Sequence, residues 1–220
     1  MKTISLDNYA SVIFDLDGTL LDTLQDIAEA ANRSLEKSGY PTHPLAAFKK
    51  LVGDGPDVLF QRAIGAERPD DPEILTLVES YQQERIIQDD RTTHSYPGID
   101  QLLNQLTEQG IALAVLTNKH QPHAELCMQR FLHAWNWQVI LGSGPHIPKK
   151  PDPQGALQVA TTLNCSPQQC LYLGDTDVDM WTAKRAGMTA VGVLWGFRES
   201  EELDAAGADT LIQHPTHLLT

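Results

Sequence analysis

The sequence predicts an α/β fold, a parallel β-sheet core with a helical segment inserted into it. Three observations carry this. A short apolar run, Val12-Ile13-Phe14, stops at the acids Asp15 and Asp17, as a buried parallel strand does where it reaches a ligand crevice. From residue 98 onward, strand-like apolar runs alternate with amphipathic stretches of helical period. Between these parts, residues 22–92 show helical spacing and no strand, so this segment reads as an insertion behind the first strand.

In order, residues 24–38 place Leu24, Ile27, Ala28, Ala31 and Leu35 at helical spacing, closed by Gly39 and Pro41. Further helices are expected over 44–51, 55–64 and 72–88, the last with Leu75, Val78, Tyr81 and Ile86 on or near one face. The alternation then runs helix 98–109, strand 111–117, helix 121–132, strand 137–141, helix 153–162, strand 170–174, helix 177–186, strand 189–193 and a short strand near 209–212. Parallel strands joined by right-handed crossovers follow from that order.

Hydrophobic residues at 41% and charged residues at 20% are the proportions of a globular chain, which argues against disorder. No apolar run approaches the ~20 residues of a membrane span. The opening MKTISLDNYA lacks the apolar centre of a signal peptide, so a cytoplasmic protein is expected. With 16 basic and 29 acidic residues the formal charge is -13, which disfavours nucleic-acid and anionic-membrane partners. An anionic substrate would then need local cations. Cys127, Cys165 and Cys170 show no close pair of the kind a zinc site or redox dithiol uses and are expected to be buried, reduced thiols. His120 and His123 could share a helical face but have no third ligand in view and are expected at the surface.

The chemistry concentrates at strand ends. Asp15 and Asp17 are two apart and project to the same side, and Gly18 lets the chain turn sharply after them. A calcium loop is excluded because its twelfth position would be Asp26 instead of glutamate, and a strand precedes it. The strand 111–117 delivers Thr117-Asn118-Lys119, a hydroxyl and backbone N–H groups suited to phosphate oxygens, or else a helix-capping turn. Lys150 precedes Pro151, which stiffens its loop. Gly174-Asp175-Thr176-Asp177-Val178-Asp179 sets three acids in five residues after another apolar run, a repulsion that water or a cation must relieve. Asp175 and Asp179 are four apart and can share a helical face.

Together, FDLDGTLLDT, LTNK, KPDP and GDTDVDM resemble the four motifs of the haloacid dehalogenase (HAD) superfamily, in order and over essentially the whole chain. The resemblance implies a Rossmann-like catalytic core, residues 1–21 plus 93–220, and an inserted helical cap, residues 22–92. It implies Asp15 as nucleophile, Asp17 as acid and then base, Thr117 and Asn118 on phosphoryl oxygens, and Lys150 as the charge-offsetting cation, with Lys149 the alternative. It also implies Mg²⁺ held by Asp15, the Asp17 backbone carbonyl and Asp175, supported by Asp179, with Asp177 spare. Oxygen donors without His or Cys suit that ion.

The cap stretch Leu51-Val52-Gly53-Asp54-Gly55 resembles the substrate loop of phosphoglycolate-phosphatase-like members. Tyr96-Pro97-Gly98, Trp195-Gly196 and Ala206-Gly207-Ala208-Asp209 extend that likeness, whereas His120 stands where many relatives carry proline. The expectation is a phosphatase acting on a small phosphorylated metabolite, phosphoglycolate first, with Gly53, Asp54 and Gly55 touching it. Pyrophosphatase, sugar-phosphate phosphatase and phosphomutase are the alternatives within the superfamily. A receiver-like or phosphate-binding regulatory protein is the alternative outside enzymes. Lys49 and Lys50 either reach a substrate carboxylate or form a solvated helix face, and cap closure about residues 22 and 92 is expected.

Overall fold

The computed structural model describes residues 4–87 and 90–219, the side chains of Ile86 and Ile87 apart. In chain order the elements are β1 (Ser11–Phe14), β2 (Leu21–Asp22), α1 (Leu24–Lys37), α2 (Leu45–Leu51), α3 (Pro56–Ile64), α4 (Pro72–Ile87), β3 (His94–Ser95), α5 (Ile99–Glu108), β4 (Ala112–His120), α6 (Gln121–Phe131), β5 (Trp137–Ser143), α7 (Gln154–Thr162), β6 (Cys170–Gly174), α8 (Asp177–Ala186), β7 (Thr189–Val193), α9 (Ser200–Ala205) and β8 (Thr210–Ile212). The chain divides into two compact units, residues 1–21 with 95–220, and residues 22–94. No helix among the described residues is long and apolar enough to cross a membrane.

The first unit is built on a six-stranded parallel sheet of order β5-β4-β1-β6-β7-β8. Its inner strands β1, β4, β6 and β7 are buried on both faces, and alternation along them sorts the core into two layers. Val12, Phe14, Leu171 and Leu173 pack with α5 and α6 on one face; Ile13, Ala114 and Tyr172 pack with α7, α8 and α9 on the other. From β1 the order runs outward to β4 and β5, then returns to β6 on the opposite flank of β1. Such a reversal opens a crevice at the carboxyl end of the central strand, which is where Asp15 stands.

The second unit packs α1 against α4, with α2 and α3 beside them. Ile27, Ala31, Leu35, Phe48, Leu59, Phe60, Ile74 and Leu77 are buried in it, and Phe60 meets Tyr81 edge-on with ring centroids 5.8 Å apart. Asp26, fully buried in α1, accepts hydrogen bonds from the Thr92 and Thr93 backbone N–H groups and the Thr93 hydroxyl. Burial pushes its carboxyl upward, yet these bonds outweigh it and hold the group below the ordinary carboxylate range.

Four local expectations change. The buried face of α4 is Ile74, Leu77 and Tyr81, while Leu75 is 53% exposed. Two overlapping apolar rows, 74/77/81 and 75/78, made the face ambiguous in sequence; Ile86's side chain lies outside the described residues. Strand β4 continues past Thr117 to His120, with an irregular register against β5 between Leu116 and His120. The short strands β2 and β3 pair with each other, and α9 forms after β7. Too few residues to show a period, these last pieces had no sequence signal.

Candidate active site

Asp15, Lys150, Asp175 and Asp179 form one buried cluster at the carboxyl end of β1 and β6. The Asp15 N–H donates to the Leu173 carbonyl at 2.9 Å, continuing the β1–β6 ladder to the acid itself. Gly18 turns the chain at φ +89°, and a Cβ there would stand 2.2 Å from Asp175 Oδ2. A Cβ on Gly196 would meet the Asp175 Cβ at 2.3 Å. Two glycines thus let backbone close around one carboxylate. That carboxylate accepts from the Thr19 hydroxyl at 3.0 Å and the Phe197 N–H at 2.9 Å.

Lys150 Nζ lies 2.8 Å from Asp15 Oδ1 and 2.6 Å from Asp179 Oδ1. Asp179 sits in the first turn of α8 and reaches back with its other oxygen to the Thr176 N–H and hydroxyl, at 3.1 and 2.7 Å. The acid that serves as a helix cap thereby also anchors the lysine. Lys150 itself is aimed by Asn118, whose side chain donates to the Lys150 carbonyl at 3.1 Å and accepts from its N–H at 2.9 Å. The Asn118 side-chain amide is thus committed to the Lys150 backbone. The Lys119 N–H, expected to be open at a strand end, donates to the Thr117 hydroxyl at 3.2 Å.

Burial pushes the Asp15 carboxyl up to about 6; Lys150 opposes the rise, and Asp179 and Asp17 add to it. Asp175 is raised well above its ordinary value by burial and then by Asp179 and Asp15. Burial alone would depress Lys150, but Asp15 and Asp179 outweigh it and keep it firmly protonated. Three carboxylates stand against one ammonium here, so ionisation of all four leaves two negative charges uncompensated among them. The cluster's chemistry fits a divalent cation: Asp15, Asp175 and Asp179 offer oxygens within 4.8 Å of one another. The buried Asp15 Oδ1 has Lys150 close by but no well-directed hydrogen bond. Hard oxygen donors and two excess charges are what such an ion requires.

A profile of the haloacid dehalogenase-like hydrolases matches residues 12–193, a span that holds every acid of the cluster. The chain belongs to the haloacid dehalogenase-like hydrolase family. The receiver-like reading gives way to it. The phosphoglycolate phosphatase of Pseudomonas putida is 32% identical to this hydrolase over 211 residues, covering 94% of this chain and 78% of its own. That of Vibrio cholerae serotype O1 is 32% identical over 216 residues, 95% of this chain and 92% of its own. Among solved structures, a predicted phosphoglycolate phosphatase from Haemophilus somnus 129PT aligns with a TM-score of 0.86 at 26% identity over 98% of each chain.

The remaining anticipated residues of the hydrolase fall outside this cluster of four. Thr117 is buried within β4, three residues before its end, and Asp17 pairs with Lys119 at 2.8 Å. Gly53, Asp54 and Gly55 lie in the second unit between α2 and α3, where Asp54 is ion-paired with Arg62 at 2.7 Å. Lys49 and Lys50 are exposed on α2. Sequence reasoning gave no part to Lys119, Thr19 or Phe197. Thr19 and Lys119 were within the quoted motifs, and their side chains were the available signal; Phe197 acts through its backbone and carries none.

Proposed function

We propose that this hydrolase is a Mg²⁺-dependent phosphatase of small phosphomonoesters, with phosphoglycolate the first candidate, working through an aspartyl-phosphate on Asp15. The observation that carries the reading is the buried Asp15 carboxylate, held 2.8 Å from Lys150 Nζ with a second acid, Asp17, two residues away. A nucleophile and a proton-transfer group on one strand end make the two half-reactions adjacent. Relatives named phosphoglycolate phosphatase at 32% identity support the substrate.

In this mechanism Asp15 attacks phosphorus in line and the bond from phosphorus to the leaving oxygen breaks. Asp17 gives that oxygen a proton, then takes one from the water that attacks the aspartyl-phosphate, releasing phosphate and restoring Asp15. Lys150 offsets charge at the nucleophile, and Thr117 and Asn118 serve the phosphoryl oxygens. Mg²⁺, when held by Asp15, Asp175 and the Asp17 carbonyl with Asp179 in support, supplies positive charge that screens the nucleophile from the anionic group it attacks. To Gly53, Asp54 and Gly55 we assign contact with the rest of the substrate.

Phosphate release is measured across phosphoglycolate, pyrophosphate, sugar phosphates and nucleotides, with Mg²⁺ and with EDTA, beside Asp15→Asn. Mg²⁺-dependent turnover led by phosphoglycolate and absent from the variant is expected. Turnover led by another compound overturns the substrate and keeps the mechanism. Full activity in Asp15→Asn or in EDTA overturns the mechanism.

A further inference from the structure

We propose that Cys165 and Cys170 form an oxidisable dithiol that closes to an intrachain disulfide when the protein meets a peroxide. Their Sγ atoms lie 3.3 Å apart, and a bond needs about 2.05 Å. The segment between them, Ser166–Gln169, is a surface turn with Ser166, Gln168 and Gln169 exposed. Both sulfurs are already oriented. Cys165 Sγ lies 3.5 Å from the Ser11 hydroxyl and 3.7 Å from the Ala160 carbonyl, and Cys170 Sγ lies 3.4 Å from the Ser166 carbonyl.

The two thiols are unequal, which assigns their parts. Cys165 is half-buried three residues past α7 and within reach of a small oxidant; Cys170 is fully buried as the first residue of β6. Burial also pushes the Cys170 thiol up to about 12, leaving Cys165 as the attacking sulfur. The Cys165 thiolate attacks one peroxide oxygen, the O–O bond breaks, hydroxide leaves, and Cys165 is oxidised to a sulfenic acid. Cys170 then attacks the Cys165 sulfur; the S–O bond breaks, and the Cys170 thiol proton passes to the departing hydroxide to give water. In sum two thiols and one hydrogen peroxide give one disulfide and two waters. Cys127 packs on the opposite face of the sheet and serves as an internal reference.

The folded protein is exposed to hydrogen peroxide, quenched, unfolded, alkylated and mapped by mass spectrometry. A Cys165–Cys170 linked peptide, two hydrogens lighter and reversed by dithiothreitol, with Cys127 alkylated, is expected. In Cys170→Ser the same treatment is expected to leave a dimedone-reactive sulfenic acid on Cys165. The proposal is overturned if Cys165 and Cys170 both remain alkylatable, if Cys165 proceeds to sulfinic acid beside an alkylatable Cys170, or if Cys127 oxidises first. The wild-type map decides without the variant should that variant fail to fold.

Discussion

Lys119 Nζ stands 2.8 Å from Asp17 Oδ2, with both side chains largely withdrawn from solvent. A cation is therefore fixed to the acid that the proposed mechanism uses twice, one strand end away from the Lys150–Asp15 pair. In a chain of formal charge -13 these two lysines offset part of the local negative charge that an anionic substrate meets, and a bound divalent cation would offset the rest.

Replacing Lys119 with methionine keeps the length of the side chain and removes its charge. The expected result is a fall in kcat/KM of about tenfold or more, with Lys119→Arg retaining most of the activity, because acid–base groups lose efficiency when misplaced. Steady-state kinetics on the best substrate check this; unchanged kcat/KM in the methionine variant would remove Lys119 from the site.

Asp15→Asn is expected to be inactive and, without metal, more stable than wild type at pH 7. The sign follows from the direction of the shift. A carboxyl raised from 3.8 to about 6 contributes stability that is complete below 3.8 and is lost as pH rises through about 6. Asparagine has no charge to bury, so its advantage is on the order of 3 kcal/mol at pH 7 and largely vanishes near pH 3.5. Urea denaturation in EDTA at the two pH values measures it.

Mg²⁺ affinity is expected to weaken as pH falls through about 6, because protons then compete for Asp15. Calorimetric titrations between pH 5 and 7.5 test this, and an affinity that stays flat across the range would exclude Asp15 as a ligand.

Asn118→Ala deletes both bonds to the Lys150 backbone and leaves two buried polar groups to be satisfied otherwise. A loss of roughly 1–3 kcal/mol in stability is expected, together with a lower kcat as Lys150 loses its aim. Denaturation and kinetics on one preparation read both, and a variant with normal kcat would limit Asn118 to stability.

Legibility in sequence followed the range of the interaction. β1, β6 and α8 were readable because apolar runs and terminal acids are local, and the same locality exposed Asp15, Asp175 and Asp179. Asn118 was legible as a motif residue, but the partner of its amide lies 32 positions on, in a loop without periodicity. The Lys119–Asp17 pair likewise depends on β4 lying beside β1, a neighbour relation that strand patterns do not encode. Spacing separated Cys165 from Cys170 by five residues, and the turn between helix and strand folded that separation back on itself.

The first strand made waits long for its second neighbour. Ser11 in β1 waits for Ala112 on one flank and Cys170 on the other, so most of the chain must leave the ribosome before β1 has both neighbours. The crevice above Asp15 cannot exist on a shorter nascent chain. Until Asp175 arrives just past β6, the nucleophile stands on a strand with β4 on one flank only, and synthesis itself delays the chemistry until both flanks are filled.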